Sequence, residues 1–188
     1  MRVVSKGAIQ WLSCNCLQND YRNNTLRAIL STGYQIMKKL NVEDVTNEYL
    51  DKALPNQGSL LRAPGFKEKD HSDEIQVGDF IFCTFGGKVV LLKESVQEAE
   101  NPDFEWNNRF WDLKSPNKIH NLGKLVKKGL SQIFRNPGGI IIDISSLRES
   151  MPKIEAVIAE RMGTSMKHSV DVMIIKNLSL VKVLRYKK

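Results

Sequence analysis

The spacing of apolar and polar residues divides the chain into two parts. In the first 70 residues the apolar positions recur at helical spacing, which predicts a helix that begins near Asn24 and a shorter helix over residues 45–54. Residues 55–70 hold two prolines, two glycines and a run of charges, a composition typical of a linker. We therefore expect a small helical region with a linker over residues 1–70, followed by a separate domain over residues 71–188.

The second part changes repeatedly between helical and strand patterns. Segments with the apolar spacing of amphipathic helices cover residues 72–85, 117–134 and 152–162. Strand patterns occur at 88–92, around 103, around 110, at 138–145 and in two closing segments, VDVMIIKN and LVKVLRY, that meet near Asn177. The resulting order of helices and strands predicts an α/β fold in which helices flank a mixed sheet.

Two adjacent asparagines, Asn107 and Asn108, separate two strands that are rich in aromatic residues. Asparagine adopts a positive φ more readily than most residues other than glycine, so this pair predicts a two-residue hairpin turn. In the register that such a turn imposes, Phe104 lies opposite Trp111. Side chains alternate between the two faces of a strand, so Phe104, Trp111 and Leu113 would point into the core.

The same register places Asp103 directly opposite Asp112, with Lys114 on the same exposed face. Two opposed carboxylates destabilise a strand pair by up to ~1 kcal/mol, and a divalent cation between them would remove the repulsion. Mg²⁺ suits such a site because it prefers oxygen ligands and bridges to phosphate oxygens. Lys114 could then hold the attacking water or stabilise charge on a phosphate. An ordinary solvated face with these three side chains fits the same spacing.

The distribution of charge favours a polyanionic partner. The whole chain has a formal net charge of +7, but residues 71–116 have −5 and residues 117–188 have +9. A metal-dependent enzyme that acts on nucleic acid needs carboxylates for the cation and lysines for the phosphates, although an accidental cluster of surface charge fits equally well. Four lysines on the helix after the hairpin lie off its apolar stripe and could bind a nucleic-acid backbone or simply face solvent: Lys118, Lys124, Lys127 and Lys128.

One motif in the hairpin region resembles a known family. Pro102-Asp103, eight intervening residues and Asp112-Leu113-Lys114 resemble the signature of the PD-(D/E)xK phosphodiesterases, which have the restriction-endonuclease-like fold. Residues 70–188 also resemble the C-terminal tRNA-nuclease domains of contact-dependent growth inhibition toxins and related polymorphic toxins. The matching features are the segments FGGKVVLL, NPDF, WDLKSP and VDVMIIKN and the basic helix that ends near Gln132.

The resemblance assigns roles to individual residues. It implies that Asp103 and Asp112 bind the metal ion and that Lys114 is the catalytic lysine. Family members often add an acidic residue from the helix before the first strand. The candidates for this residue are, in order, Glu74, Asp79 and Glu94. Nucleases of this fold sometimes place a helix glutamine near the site, which makes Gln132 a further candidate for substrate binding.

These expectations combine into one functional hypothesis. The chain would be a Mg²⁺-dependent ribonuclease that cleaves tRNA, as the toxin of an inter-bacterial competition system. It would act in the bacterial cytoplasm of the target cell and be blocked by an acidic immunity protein. The alternatives are a DNA endonuclease of the same fold and a non-catalytic, basic nucleic-acid-binding module. No apolar stretch is long enough to span a bilayer, and the sequence reveals no export route.

Overall fold

The structure, a computed structural model, describes residues 40–93 and 101–188. Within these residues eight strands form one sheet and four α-helices cover its faces. The strands, β1 to β8, are Val42–Asp44, Gly58–Arg62, Gly87–Leu91, Phe104–Trp106, Arg109–Lys114, Pro137–Asp143, Val170–Lys176 and Ser179–Tyr186. The helices, α1 to α4, are Thr46–Asp51, Ser72–Phe85, Ile119–Gln132 and Met151–Ser165, and a 3₁₀ turn covers Glu68–Asp70.

The sheet is mixed, with the strand order β1-β8-β7-β6-β5-β4-β3-β2. The parallel pairs are β2 with β3, β5 with β6, and β6 with β7, whereas the remaining neighbours are antiparallel. The central strands β6 and β7 are almost continuously apolar because helices cover them on both faces. The predicted α/β fold, a mixed sheet flanked by helices, is confirmed, as is the element order from residue 71 onwards.

Each face of the sheet has its own hydrophobic core. Helices α3 and α4 cover one face, where the buried residues include Leu122, Val126, Ile140, Ile142, Ile158 and Val172. Helices α1 and α2 pack on the opposite face, where they include Val77, Ile81, Val89, Phe104, Trp106 and Trp111. Across residues 40–93 and 101–188, no helix combines the length and the apolarity that a membrane span needs.

Residues 40–70 do not form the predicted helical region and linker. The short helix is present, as α1, but β2 lies within the predicted linker and pairs with β3, while β1 pairs with β8. Strands β1 and β2 form the two edges of the sheet, so the described part of residues 1–70 belongs to the same domain as the rest. An edge strand pairs on one side only and stays half-exposed. Few of its positions therefore need apolar side chains, and its sequence carries only a weak strand pattern. The predicted helix near Asn24 lies outside the described residues.

The contact between β5 and β6 depends on a glycine. Strand β6 has one extra residue opposite the Phe110–Trp111 step, and the ring of Trp111 lies directly over Gly139. A Cβ atom at this position would lie 2.5 Å from the carbonyl oxygen of Asp171 and even closer to the ring of Trp111. The two glycines before the apolar run IIID therefore allow Trp111 to pack against the backbone of β6.

We expect Gly139→Ala to destabilise the protein by about 1–3 kcal/mol, because the added methyl group must displace either the indole ring or the backbone of β7. The measurement is the free energy of unfolding from chemical denaturation. Gly123→Ala, in the interior of α3, is the matched control, since its Cβ would meet Arg161 and Val157 at ordinary distances of 3.5 and 3.8 Å. Replacing this glycine should leave stability unchanged or raise it by up to about 1 kcal/mol. Equal stability of the two variants would contradict the packing described here.

Candidate active site

The β4–β5 hairpin has the predicted turn and register. Asn107 and Asn108 form the turn with φ values of 49° and 61°, in the left-handed region that a two-residue turn of this kind requires. The paired residues are Phe104 with Trp111, Glu105 with Phe110 and Trp106 with Arg109. Phe104, Trp111 and Leu113 are buried in the core beneath α2, as predicted. The hairpin therefore directs Asp112 and Lys114 to the opposite face of the sheet.

That opposite face is not exposed, which corrects the sequence-based expectation. Asp112 is completely buried and Lys114 is 8% exposed, because β5 lies in the interior of the sheet and α3 covers this side of it. Gly129 allows the close approach of the helix, since a Cβ atom there would lie 2.9 Å from Asp112 Oδ2. Asp103, which precedes β4, is half-buried. The candidate site thus lies between the sheet and the end of α3.

The polar groups of the site contact one another at short range. The backbone N–H of Leu113 donates a hydrogen bond of 2.6 Å to Asp103 Oδ2 and so fixes the orientation of this carboxylate. Lys114 forms an ion pair with Asp112 Oδ2 and donates a hydrogen bond of 2.9 Å to the carbonyl oxygen of Leu113. Neither oxygen of Asp112 accepts a well-formed hydrogen bond from the described residues. Asp112 is therefore a buried carboxylate whose hydrogen-bonding capacity is largely unused.

Burial dominates the ionisation of the two aspartates. It raises the pKa of Asp112 to about 7, with a further upward contribution from the charge of Asp103 and an opposing one from Lys114. Burial also raises the pKa of Asp103, while Lys114 and the Leu113 N–H oppose this shift and the charge of Glu74 adds to it. The pair consequently retains a proton at pH values at which isolated carboxylates are ionised.

The structure distinguishes among the candidates for the additional acidic residue. Glu74, in the first turn of α2, is close enough for its charge to raise the pKa of Asp103, and it contacts His71 Nδ1 at 3.4 Å. Asp79 is exposed and does not contribute to the pKa shift of either aspartate. Glu94 lies outside the described residues. Of the two described candidates, Glu74 is therefore the one beside the aspartate pair.

Of the other predicted residues, Gln132 contacts the segment that leads into the site. Its Nε2 donates a hydrogen bond of 3.1 Å to the carbonyl oxygen of Asn101, and its Oε1 is buried without a hydrogen bond from the described residues. Lys124 and Lys128 are exposed and precede Gln132 at four-residue intervals, so these three side chains form one row along α3. Lys127 is exposed outside this row and lines a separate cavity between α3 and α4.

The donor set suits a hard divalent cation. Within residues 40–93 and 101–188, no group of three or more His, Cys, Asp or Glu side chains is close enough to enclose a metal ion. Mg²⁺ needs no such enclosure, because one or two carboxylates, water and substrate phosphates complete its coordination. Apart from the ion pair of Oδ2 with Lys114, the oxygens of Asp112 accept no well-formed hydrogen bond from the described residues, and a cation would relieve the repulsion with Asp103. The residues present therefore fit Mg²⁺.

Comparison with known proteins gives one structural neighbour. A chain of the CdiA-CT/CdiI toxin and immunity complex from Burkholderia pseudomallei is similar in structure, with a TM-score of 0.42 and 19% sequence identity. The similarity covers 66% of the present chain and 99% of that chain. No model of a protein family matches the sequence, and no curated protein matches it.

Two groups that shape the site are absent from the sequence-based expectations. Gly129 determines how closely α3 approaches Asp112, and the N–H of Leu113 holds Asp103 in place. A glycine in the middle of an otherwise regular amphipathic helix is a signal for close packing and could have identified the first. The second is a backbone group at a strand end, which no side-chain pattern reveals.

We expect the ionisation of Asp112 to lower the stability of the metal-free protein as the pH rises from about 4 to about 7. The unfolded chain releases the Asp112 proton near pH 4, whereas the folded protein retains it up to about pH 7, so the contribution of this group favours unfolding more with each increment of pH in this window. Asp112→Asn removes this proton equilibrium. Its melting temperature in EDTA should therefore exceed that of the parent by a margin that is larger at about pH 7 than at about pH 4.

Asp79→Asn is the control, because it removes an exposed carboxylate from α2 and should leave the pH profile of the parent unchanged. A melting-temperature difference between parent and Asp112→Asn that is constant over the window would show that Asp112 ionises normally in the folded protein.

Proposed function

We propose that this protein is a Mg²⁺-dependent nuclease that hydrolyses phosphodiester bonds in RNA. The observation that supports this most directly is Asp112, a completely buried carboxylate without well-formed hydrogen bonds, next to a second carboxylate and a lysine. This arrangement does not help the protein to fold, because burying carboxylate oxygens without hydrogen bonds costs free energy of folding. A cation and a phosphate between these groups would supply the missing interactions.

In this proposal Asp103 and Asp112 bind the cation, through oxygens other than the one that the Leu113 N–H occupies. Bound there, Mg²⁺ would supply Lewis-acid stabilisation of a phosphoryl oxygen and a more acidic water. Lys114 orients the attacking water or neutralises charge on the scissile phosphate, from its position against Asp112. Glu74, whose side chain is 25% exposed, lies near Asp103. Substrate would enter from this side.

The choice of RNA, and of tRNA in particular, rests on charge and on the sequence resemblance. Residues 117–188 carry a net charge of +9, and the row of Lys124, Lys128 and Gln132 leads along α3 towards the aspartates. Such a row can follow a phosphate backbone. The resemblance of residues 70–188 to tRNA-nuclease domains favours tRNA over DNA, which the same motif also cleaves.

The same resemblance is the basis for proposing a toxin in inter-bacterial competition, with an immunity protein as partner. A cell that makes such an enzyme must block it before it cleaves the cell's own tRNA. The net charge of +9 over residues 117–188 would attract an acidic inhibitor and accelerate its association through electrostatic steering. We therefore propose an acidic partner that covers the face of α3.

We expect purified protein to cleave total tRNA in Mg²⁺ but not in EDTA, and to leave plasmid DNA intact. Asp112→Asn and Lys114→Gln should each reduce the cleavage rate by at least about a hundredfold, because each removes a charged group next to the scissile phosphate. Both positions are buried, so these near-isosteric changes are preferable to alanine. The readout is the loss of intact tRNA on denaturing gels.

Asp79→Asn should cleave at the parent rate and serves as the matched carboxylate control. Mg²⁺ should also raise the melting temperature of the parent but not of Asp112→Asn, because a ligand stabilises only the state that binds it. Undiminished cleavage by both active-site variants would remove the assignment of this site, and cleavage of plasmid DNA alone would change the substrate class.

Induced expression of the unmutated chain in a bacterium should stop growth and deplete intact tRNA, whereas equal amounts of Asp112→Asn should do neither. Co-expression of a small acidic protein encoded beside this chain should restore growth, and its association with the purified chain should slow with added salt. Growth curves and gels of cellular RNA provide the measurement. Harmless high-level expression of the unmutated chain would refute the toxin role and favour a non-catalytic binding module.

A further inference from the structure

A cavity of about 570 Å³ lies between the C-terminal parts of α3 and α4, on the opposite side of α3 from Asp112. Four basic side chains line it, and none of its lining residues is acidic: the basic ones are Lys127, Arg161, Lys167 and His168. Three hydroxyl groups complete the polar lining, from Ser131, Thr164 and Ser165. A concave surface with this composition is complementary to an anion.

The basic residues of this cavity have no carboxylate partners among the described residues. The guanidinium of Arg161 lies across α3 beside Gly123, and its Nε is buried without a hydrogen-bond acceptor. A second cavity of about 520 Å³, near the hairpin turn, shows the contrast. There Arg185 is bonded to Asp171 and Glu48, and Tyr49 donates a hydrogen bond to Asp171. Arg185 of that cavity is thus paired with carboxylates within the fold, whereas, within the described part of the chain, the basic residues between α3 and α4 are not.

An aromatic surface adjoins the unpaired cations. Phe134 is 41% exposed at the edge of the cavity, with the ring of His168 at 5.3 Å and the ammonium of Lys167 at 4.9 Å from its centroid. Exposed aromatic rings beside basic side chains are the usual surface for single-stranded nucleic acid, because bases stack on the ring while cations bind the phosphates. The cavity therefore matches both chemical parts of a nucleotide.

Helix α3 connects this cavity with the candidate active site. Its Gly129 contacts Asp112 on one side, whereas Lys127 and Leu130 line the cavity on the other. A helix with its side chains is about 10–12 Å across, a distance that a few nucleotides of a single strand can span. The exposed Lys124 and Lys128 lie on the surface between the two. A single RNA strand could contact both places by crossing α3.

We propose that the cavity between α3 and α4 binds a nucleotide of single-stranded RNA, with the phosphate on Arg161 and Lys127 and the base on Phe134. The proposal deepens the proposed nuclease function and rests on it for the choice of RNA. Single-stranded loops are the parts of a folded RNA whose bases are free to stack on a protein. The cavity would hold such a loop while the strand on the other side of α3 occupies the active site.

The test measures binding of a short fluorescein-labelled oligouridine by anisotropy, in an Asp112→Asn background so that cleavage plays no part. Arg161→Gln should weaken binding about tenfold and reduce the slope of log K against log salt by about 0.7, the share of one phosphate contact on a single strand. Phe134→Ala should weaken binding about fivefold with an unchanged slope, because stacking releases no counterions. Arg148→Gln, which removes an exposed guanidinium before α4, is the matched control and should change affinity less than twofold.

Arg161 is half-buried, so Lys127→Gln, at an exposed position, provides a second test that does not depend on the packing of α4. Affinity unchanged in both Arg161→Gln and Lys127→Gln would overturn the proposal and leave the cavity to an acidic protein segment instead. Unchanged affinity in Phe134→Ala would overturn the stacking role. Absence of tRNA cleavage by the parent would refute the nuclease but not the binding result, so the two failures are distinguishable.

Discussion

The register of the β4–β5 hairpin is the constraint on which the candidate site depends. Because Asn107 and Asn108 form a two-residue turn, every side chain of β5 is assigned to one face of the sheet. A slip of one residue would exchange the two faces and place Trp111 beneath α3. The aromatic core under α2 and the polar site under α3 are thus two consequences of a single turn. A change in the register of the hairpin would disrupt both the core and the site.

Burial gives the polar face its chemical character. On an exposed hairpin, water would solvate two aspartates and a lysine and their pKa values would stay near the ordinary range. Under α3, the same groups lose that solvation, and Asp112 is left with a raised pKa and, apart from its ion pair with Lys114, without well-formed hydrogen bonds from the residues that the structure describes. A cation bound here, as proposed, would replace both the lost water and the proton that the pair of aspartates retains.

Much of the fold from residue 71 onwards could be predicted from local patterns, whereas its edges and the depth of the site could not. Periodicity identifies α2, α3 and the apolar strands because each buries a repeating face, and the paired asparagines identify the turn. Strand β2 carries little apolar pattern, since it pairs only with β3 through backbone hydrogen bonds. The burial of Asp112 depends on where α3 docks, and that is determined by Gly129 and by the packing against α4 rather than by the strand itself.

Helix α3 makes more kinds of contact than its amphipathic pattern indicates. Its apolar stripe packs on the sheet through Leu122 and Val126, while Gly129 removes the side chain that would otherwise separate the helix from Asp112. In the last turn of the helix, Gln132 donates a hydrogen bond to the segment before β4. Lys124 and Lys128, in the same row of side chains, face solvent. Since one rigid element contacts both the aspartates and the basic surface, the distance between them is fixed by the helix. In the proposed function, a phosphate on α3 would therefore be held at a constant separation from the proposed metal ligands, which is a condition for cutting a strand at a defined place.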